Sequence, residues 1–216
     1  MTTGIPSGRG GQQTVAEQVQ VMLGFQKGRL ERDGTMMAAA ALIELVLAGR
    51  ISSVPNRGFF NGPAPRKLVV ADATATENDV LDAALLPAAG WGKPRLPHRA
   101  LSDLGAAVSL EVQQVLERTG MVRAVKRYPQ RGAYLAIVDQ EAYRIERDRL
   151  AIIRSRPDLV DDARTGAFID VLRNGATSFT GESGPRSHIE WEWYPPQSRE
   201  TIESTLQAEA TRFSYS

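Results

Sequence analysis

The side chains able to do chemistry are few and scattered. His98 and His188 are the only histidines, and neither has a partner at a spacing that would hold a metal ion. His98 follows a proline in a loop and reads as a surface polar residue. Cysteine is absent, which removes thiolate catalysis, disulfides and cysteine-liganded metals and fits a reducing, cytoplasmic setting. Two carboxylate pairs, Asp79/Asp82 and Asp161-Asp162, are candidates for acid–base work. Each opens or precedes a helical pattern, however, where negative charge is favoured by the helix dipole. No nucleophile elbow, phosphate-binding glycine loop or dinucleotide fingerprint occurs, and Gly8-Arg9-Gly10-Gly11 lies in a leader without a preceding strand. No enzyme activity, catalytic residue, metal or cofactor is expected.

A more informative cluster is basic. Arg123, Lys126, Arg127 and Arg131 fall within a nine-residue stretch that has no acidic residue, interleaved with Tyr128 and followed by Tyr134 and Leu135. Such a patch suits phosphate groups of lipid or nucleic acid. It equally suits a solvated strand edge on which arginine discourages aggregation. The whole-chain charge of +1 lacks the global attraction of a dedicated nucleic-acid binder, so nucleic acid is not an expected partner.

The elements that position these residues follow from pattern. A hydrophobic fraction of 42% with 24% charged residues is that of a globular chain. No apolar run reaches the ~18–20 residues of a membrane span. Residues 1–13 read as a flexible leader. Thr14-Val15-Ala16-Glu17 is a capping box opening a helix to about Phe25. Thr35 caps a helix from Met36 to Ala48 that carries a single charge, Glu44, and closes at Gly49. A helix apolar nearly all round belongs in the middle of a bundle. Strands are expected near Ile51 and over Leu68–Val70. A helix with a capping-box-like start at Thr76 and Asp79 runs to Pro87, which ends or bends it. Another spans Leu101 to Thr119, with Val108, Val112, Val115 and Leu116 as its buried stripe. Met121–Lys126 and Ala133–Val138 form a β-hairpin. Helices follow at 141–154, 160–173 and 199–210. The alternation in Ile189-Glu190-Trp191-Glu192-Trp193 suggests a half-buried strand or docked segment. The fold class is mainly α: a compact helical domain around a buried central helix, with short strands and one hairpin.

Two resemblances arise. Leu116-Glu117-Arg118-Thr119-Gly120-Met121-Val122 followed by Tyr134-Leu135-Ala136-Ile137 resembles the end of a winged-helix DNA-binding domain. In that reading the preceding helix would offer Ser109, Gln113 and Gln114 to the groove, without a basic residue before Arg118. The second covers about Val21 to Gly175 and is similar to the Golgi phosphoprotein 3 family, including its bacterial members. It rests on Gly28-Arg29-Leu30, Asp33-Gly34, Leu42-Ile43-Glu44-Leu45-Val46-Leu47-Ala48-Gly49-Arg50-Ile51, Asp79-Val80-Leu81-Asp82-Ala83-Ala84-Leu85, the Leu116–Val122 stretch with its hairpin, and Arg164-Thr165.

This second resemblance implies a non-catalytic, peripheral membrane adaptor. It would bind an anionic phospholipid surface, of phosphoinositide type, or a protein partner such as a membrane-protein tail. The basic residues Arg123, Lys126, Arg127 and Arg131, with Tyr134 and Leu135, would make the contact, and the hairpin would also serve self-association into a homo-oligomer. In the eukaryotic pattern a Trp and three Arg hold the lipid head group. Here the three Arg positions fall on Ala38 and near Ala106 and Ser109, and no Trp lies near Arg29, so those guanidinium contacts are missing. The domain implied runs over 14–176, with 177–216 a divergent extension packed on it. The alternatives are a winged-helix-like DNA-binding regulator and a pathway accessory protein that binds a small ligand.

Overall fold

The computed structural model describes residues 13–23, 25–26, 29–30, 33–56, 66–126, 133–180, 189 and 191–210. Within these the chain is mainly helical. The helices are α1 (Val15–Leu23), α2 (Gly34–Leu47), α3 (Asp79–Ala89), α4 (Pro97–Arg118), α5 (Gln140–Ser155), α6 (Ala163–Thr180) and α7 (Pro196–Ala210). Three antiparallel pairs of short strands accompany them: β1 (Phe25–Gln26) with β2 (Arg29–Leu30), β3 (Ile51–Val54) with β4 (Lys67–Val70), and β5 (Val122–Lys126) with β6 (Ala133–Ile137).

The apolar helix lies at the centre. Every residue of α2 from Met36 to Val46 is buried, and α1, α3, α4, α6 and α7 all pack on it. The alanines at 38–41 are what let so many neighbours approach, since a helix axis cannot come close to another across long side chains. The closest approach is to α4. A methyl group built on Gly34 would lie 2.8 Å from the Gly105 carbonyl oxygen, and one on Gly105 would lie 3.0 Å from Gly34 backbone atoms. Glycine at both positions is therefore a packing requirement.

Several helix boundaries differ from the sequence reading, for local reasons. α2 is capped by Asp33, which accepts the Met36 N–H at 3.2 Å, while the expected cap Thr35 turns its hydroxyl onto the same carboxylate at 2.9 Å. α3 is capped by Asn78, which accepts from the Val80 and Leu81 N–H groups, and Thr76 donates instead to Asp82. Pro87 stays inside α3, which runs on to Ala89. α4 begins at Pro97, where the fixed φ and missing N–H of proline suit a first helical position. The Trp/Glu segment is not a strand but a short 3-10 turn, Trp191–Trp193, with Trp193 lying directly on Gly166 of α6. Tyr194 buries its ring and donates its hydroxyl to Asp170 at 2.8 Å. Burial and that neighbouring carboxylate keep the phenol protonated far above its ordinary range.

The capping box forms as expected, with Thr14 N–H donating to Glu17 at 2.7 Å and Glu17 N–H to Thr14 Oγ1 at 3.2 Å. Beside it sits a contact that no local pattern announces. Glu44 accepts the Val15 N–H at 2.6 Å through one oxygen and the Arg164 Nε at 2.6 Å through the other. Arg164 also donates to the Gln13 carbonyl at 2.9 Å. One guanidinium thus ties α6, α2 and the entry to α1 together.

Glu17 and Glu44 are both buried, and burial raises both pKa values against the pull of Arg164. A carboxylate whose folded pKa is raised binds its proton more tightly when folded. Its stabilising contribution is complete below the ordinary value of 4.5 and is lost as pH rises through the folded value. Urea denaturation should accordingly show stability falling as pH rises above about 4.5. Glu17→Gln, which retains an oxygen for Thr14, should flatten that slope. A wild-type stability that climbs over the same range would contradict the assignment.

Candidate binding surfaces

The basic ribbon is built from β5 and β6. Its register pairs Val122 with Ile137, Arg123 with Ala136, Ala124 with Leu135, Val125 with Tyr134 and Lys126 with Ala133. Because alternate residues of a strand take opposite faces, the positions of Arg123, Val125, Tyr134 and Ala136 share one face. Those of Val122, Ala124, Lys126, Leu135 and Ile137 share the other. Val122 is buried and Ile137 packs against the core, while Arg123 is exposed. Val138, next on the Arg123 face, is 54% exposed. The register therefore separates the four expected site residues that it covers. Arg123 and Tyr134 hold positions on the outward face; Lys126 and Leu135 hold positions on the face that begins at the core. Arg127 and Arg131 lie outside the described residues, as do Tyr128, His188 and residues 1–12 of the leader.

Of the three positions at which the family resemblance would place lipid-binding arginines, two are buried. Ala38 is fully buried and Ser109 is buried on α4, where its hydroxyl accepts from Gln113 at 3.3 Å. Both flank the crossing at which Gly34 and Gly105 touch backbone to backbone. Ala106 is exposed. A guanidinium placed at Ala38 would have no room and no water, whereas one placed at Ala106 would reach solvent.

The same helix answers the winged-helix reading. Ser109 and Gln113 face the core and only Gln114 of the three is exposed. The exposed charged side chains of α4 are Arg99, Asp103, Glu117 and Arg118, two of each sign, so the helix has no basic face to set against a phosphate backbone. His98 is an exposed residue in the first turn of α4, not in a loop.

The carboxylate pairs resolve as helix-start groups, with one addition. Asp162 accepts from the backbone N–H groups of Arg164 and Thr165. Asp79 and Asp82 lie in the first turn of α3, but they also line an open groove of about 570 Å³ between α3 and α4. Ala83, Leu86 and Ala89 form its apolar part, and Glu111 and Arg118 come from α4. Arg118 spans it, donating to Asp79 at 2.8 Å and to Glu111 at 2.9 Å. The sequence pointed to Asp79 and Asp82 but not to this groove, which exists only once α3 and α4 lie side by side.

A central apolar helix is wrapped by further helices, with the β5–β6 ribbon beside them and no metal-holding cluster among the described residues. Residues 20–203 match the model of the family described as Golgi phosphoprotein 3 (GPP34). The chain belongs to that family. Membership suggests a binding or adaptor role, and the family is not known as one of enzymes. No curated protein matches the chain closely enough to narrow that role. Among the described residues no helix is long and apolar enough to cross a membrane.

The closed cleft can be tested directly. Ala38→Arg should cost several kcal/mol, because it buries an unpaired charge. Ala106→Arg should stay within about 0.5 kcal/mol, as surface substitutions do. Thermal melts of the two variants check this. Equal small shifts would mean that the cleft opens.

Proposed function

We propose that this protein is a non-catalytic adaptor that rests on an anionic membrane surface through the outward face of its β5–β6 ribbon. The observation supporting this is that a cation and apolar side-chain area are both exposed along the ribbon, Arg123 in β5 and Val138 just beyond β6, while Val122 is anchored in the core. The ribbon adds Lys126, Arg127 and Arg131 by sequence. Each basic residue at an anionic surface contributes about 1 kcal/mol. With Lys126 holding a position on the opposite face, Arg123, Arg127 and Arg131 would supply roughly 3 kcal/mol, an affinity weaker than millimolar that needs apolar contact or multivalency to become stable. With the α2–α4 cleft closed, attraction follows surface charge and not head-group identity.

Flotation of the full-length protein with liposomes tests this reading. Neutral vesicles are compared with phosphatidylserine-bearing and phosphatidylinositol-4-phosphate-bearing vesicles of matched surface charge, at low and high salt. Binding should be equal on the two anionic surfaces, absent on the neutral one and weakened by salt. It should be lost when Arg123, Lys126, Arg127 and Arg131 are changed to Ala. Failure to float with any vesicle would remove the membrane from the function. Preference for the phosphoinositide at matched charge would restore head-group recognition.

A further inference from the structure

Charge is segregated along this chain. No acidic residue occurs over residues 51–71 or over residues 83–102, and the fold joins these two stretches. Leu68 of β4 and Arg95 exchange both backbone hydrogen bonds, at 2.7 and 2.9 Å, in an antiparallel bridge. That bridge brings Lys93, Arg95 and Arg99 alongside Arg66 and Lys67. Other elements neutralise two of these cations: Glu200 reaches Arg66 at 2.9 Å and Asp103 reaches Arg95 at 3.3 Å. Lys67, Lys93 and Arg99 have no carboxylate partner among the described residues.

These three cations reach solvent. Lys93 and Arg99 are exposed. Leu68 is buried, so alternation turns the half-buried Lys67 to the outer face of β4. Arg99 stands in the first turn of α4, which holds no acidic residue. A cation there opposes the helix dipole, so helix stability does not account for it. Trp91, two residues before Lys93, packs against the core from a half-buried position, and Gly92 and Pro94 beside it are exposed. An indole backed by protein and accompanied by cations suits the interface of a bilayer with water. The cluster lies at the start of α4, whose 22 residues extend about 33 Å. The ribbon begins just past the other end of that helix, so the two basic surfaces occupy opposite ends of α4.

We infer that Lys67, Lys93 and Arg99, together with Trp91, form a contact for an anionic phospholipid bilayer, separate from the ribbon and at the other end of α4. The ammonium and guanidinium groups meet lipid phosphates, and the indole settles at head-group level. Three cations are too few for a nucleic acid, whose tight binding takes about 6–10 phosphate contacts. One such contact is weak, and it becomes measurable when many copies act on one vesicle together. The contact does not rest on the ribbon reading. Only its consequence does: a copy engaged at both ends joins two bilayers.

The test first removes the ribbon. Full-length protein carrying Arg123→Ala, Lys126→Ala, Arg127→Ala and Arg131→Ala is anchored by a C-terminal polyhistidine tag to otherwise neutral vesicles bearing a nickel-chelating lipid. Fluorescent phosphatidylserine vesicles are added at low salt, and their capture is measured. Capture should occur, weaken with salt, and fall about tenfold or more when Lys67→Ala/Lys93→Ala/Arg99→Ala is added. Arg144→Ala/Arg147→Ala/Arg154→Ala removes the same formal charge from exposed positions on α5 and should leave capture within about twofold. Circular dichroism melts check that every variant folds. Absence of capture overturns the inference, as does capture that the Lys67/Lys93/Arg99 substitutions leave unchanged. Equal capture of neutral vesicles overturns it too, and so does an equal loss in the α5 variant, which net charge alone would give. Fluorescent duplex DNA captured in preference to the vesicles would assign the surface to nucleic acid instead. The ribbon is already neutralised in this protein, so its own reading stands or falls separately, on flotation of the unsubstituted chain.

Discussion

Glu44 is the single charge on α2, and it lies inside the protein. A carboxylate there would be intolerable alone, and its two oxygens are committed to the Val15 N–H and the Arg164 guanidinium. Replacing such a pair with apolar residues is often neutral or stabilising, whereas removing one partner is costly. Its contribution is best read as geometric. It fixes where α1 enters, since Arg164 also holds the Gln13 carbonyl, and it fixes the rotation of α2, since only one face can present Glu44 to both partners. The remaining helices pack on an axis whose orientation this contact sets.

That orientation brings the small residues of α2 against α4. Contact between the Gly34 and Gly105 backbones places Ala38 and Ser109 where nothing larger fits, and the interior there becomes solid. A close-packed core cannot also be a binding cleft. What the core supports without enclosing lies at the surface: the ribbon that begins at buried Val122, and the groove left where α3 runs beside α4. Arg118 does not fill that groove but braces it, linking Asp79 and Glu111 at its surface.

Much of this was legible in the sequence, and the reasons are local. The α2 helix announced its burial through composition, the Thr14/Glu17 box through spacing, and the hairpin through two extended runs around a turn. The family pattern lay in the order of these pieces. Errors arose where two local choices competed. Asp33 and Thr35 are both good caps, and the carboxylate took the helix N–H. Asn78 displaced the Thr76 start in the same way. Alternation in the Trp/Glu segment mimicked a strand, but Trp193 needed the flat surface at Gly166 and the backbone turned to reach it. The Glu44–Arg164 pair joins residues 120 apart, and the groove joins two helices. Neither leaves any mark in a local window.

The separation of surfaces follows from the same packing. Five helices crowd α2, which leaves α5 outside that inner ring, attached through α1 and α6 and burying little more than Tyr143, Glu146 and Leu150. A helix so placed must expose most of its circumference, and arginine-carboxylate pairs such as Arg144 with Glu141 and Asp148 cover much of it. Such exposed pairs add little stability, so they do not explain why two isoleucines stand uncovered among them. Burying an isoleucine is worth roughly 1.5–3 kcal/mol, a gain this fold forgoes twice on one helix face and once more at Leu86.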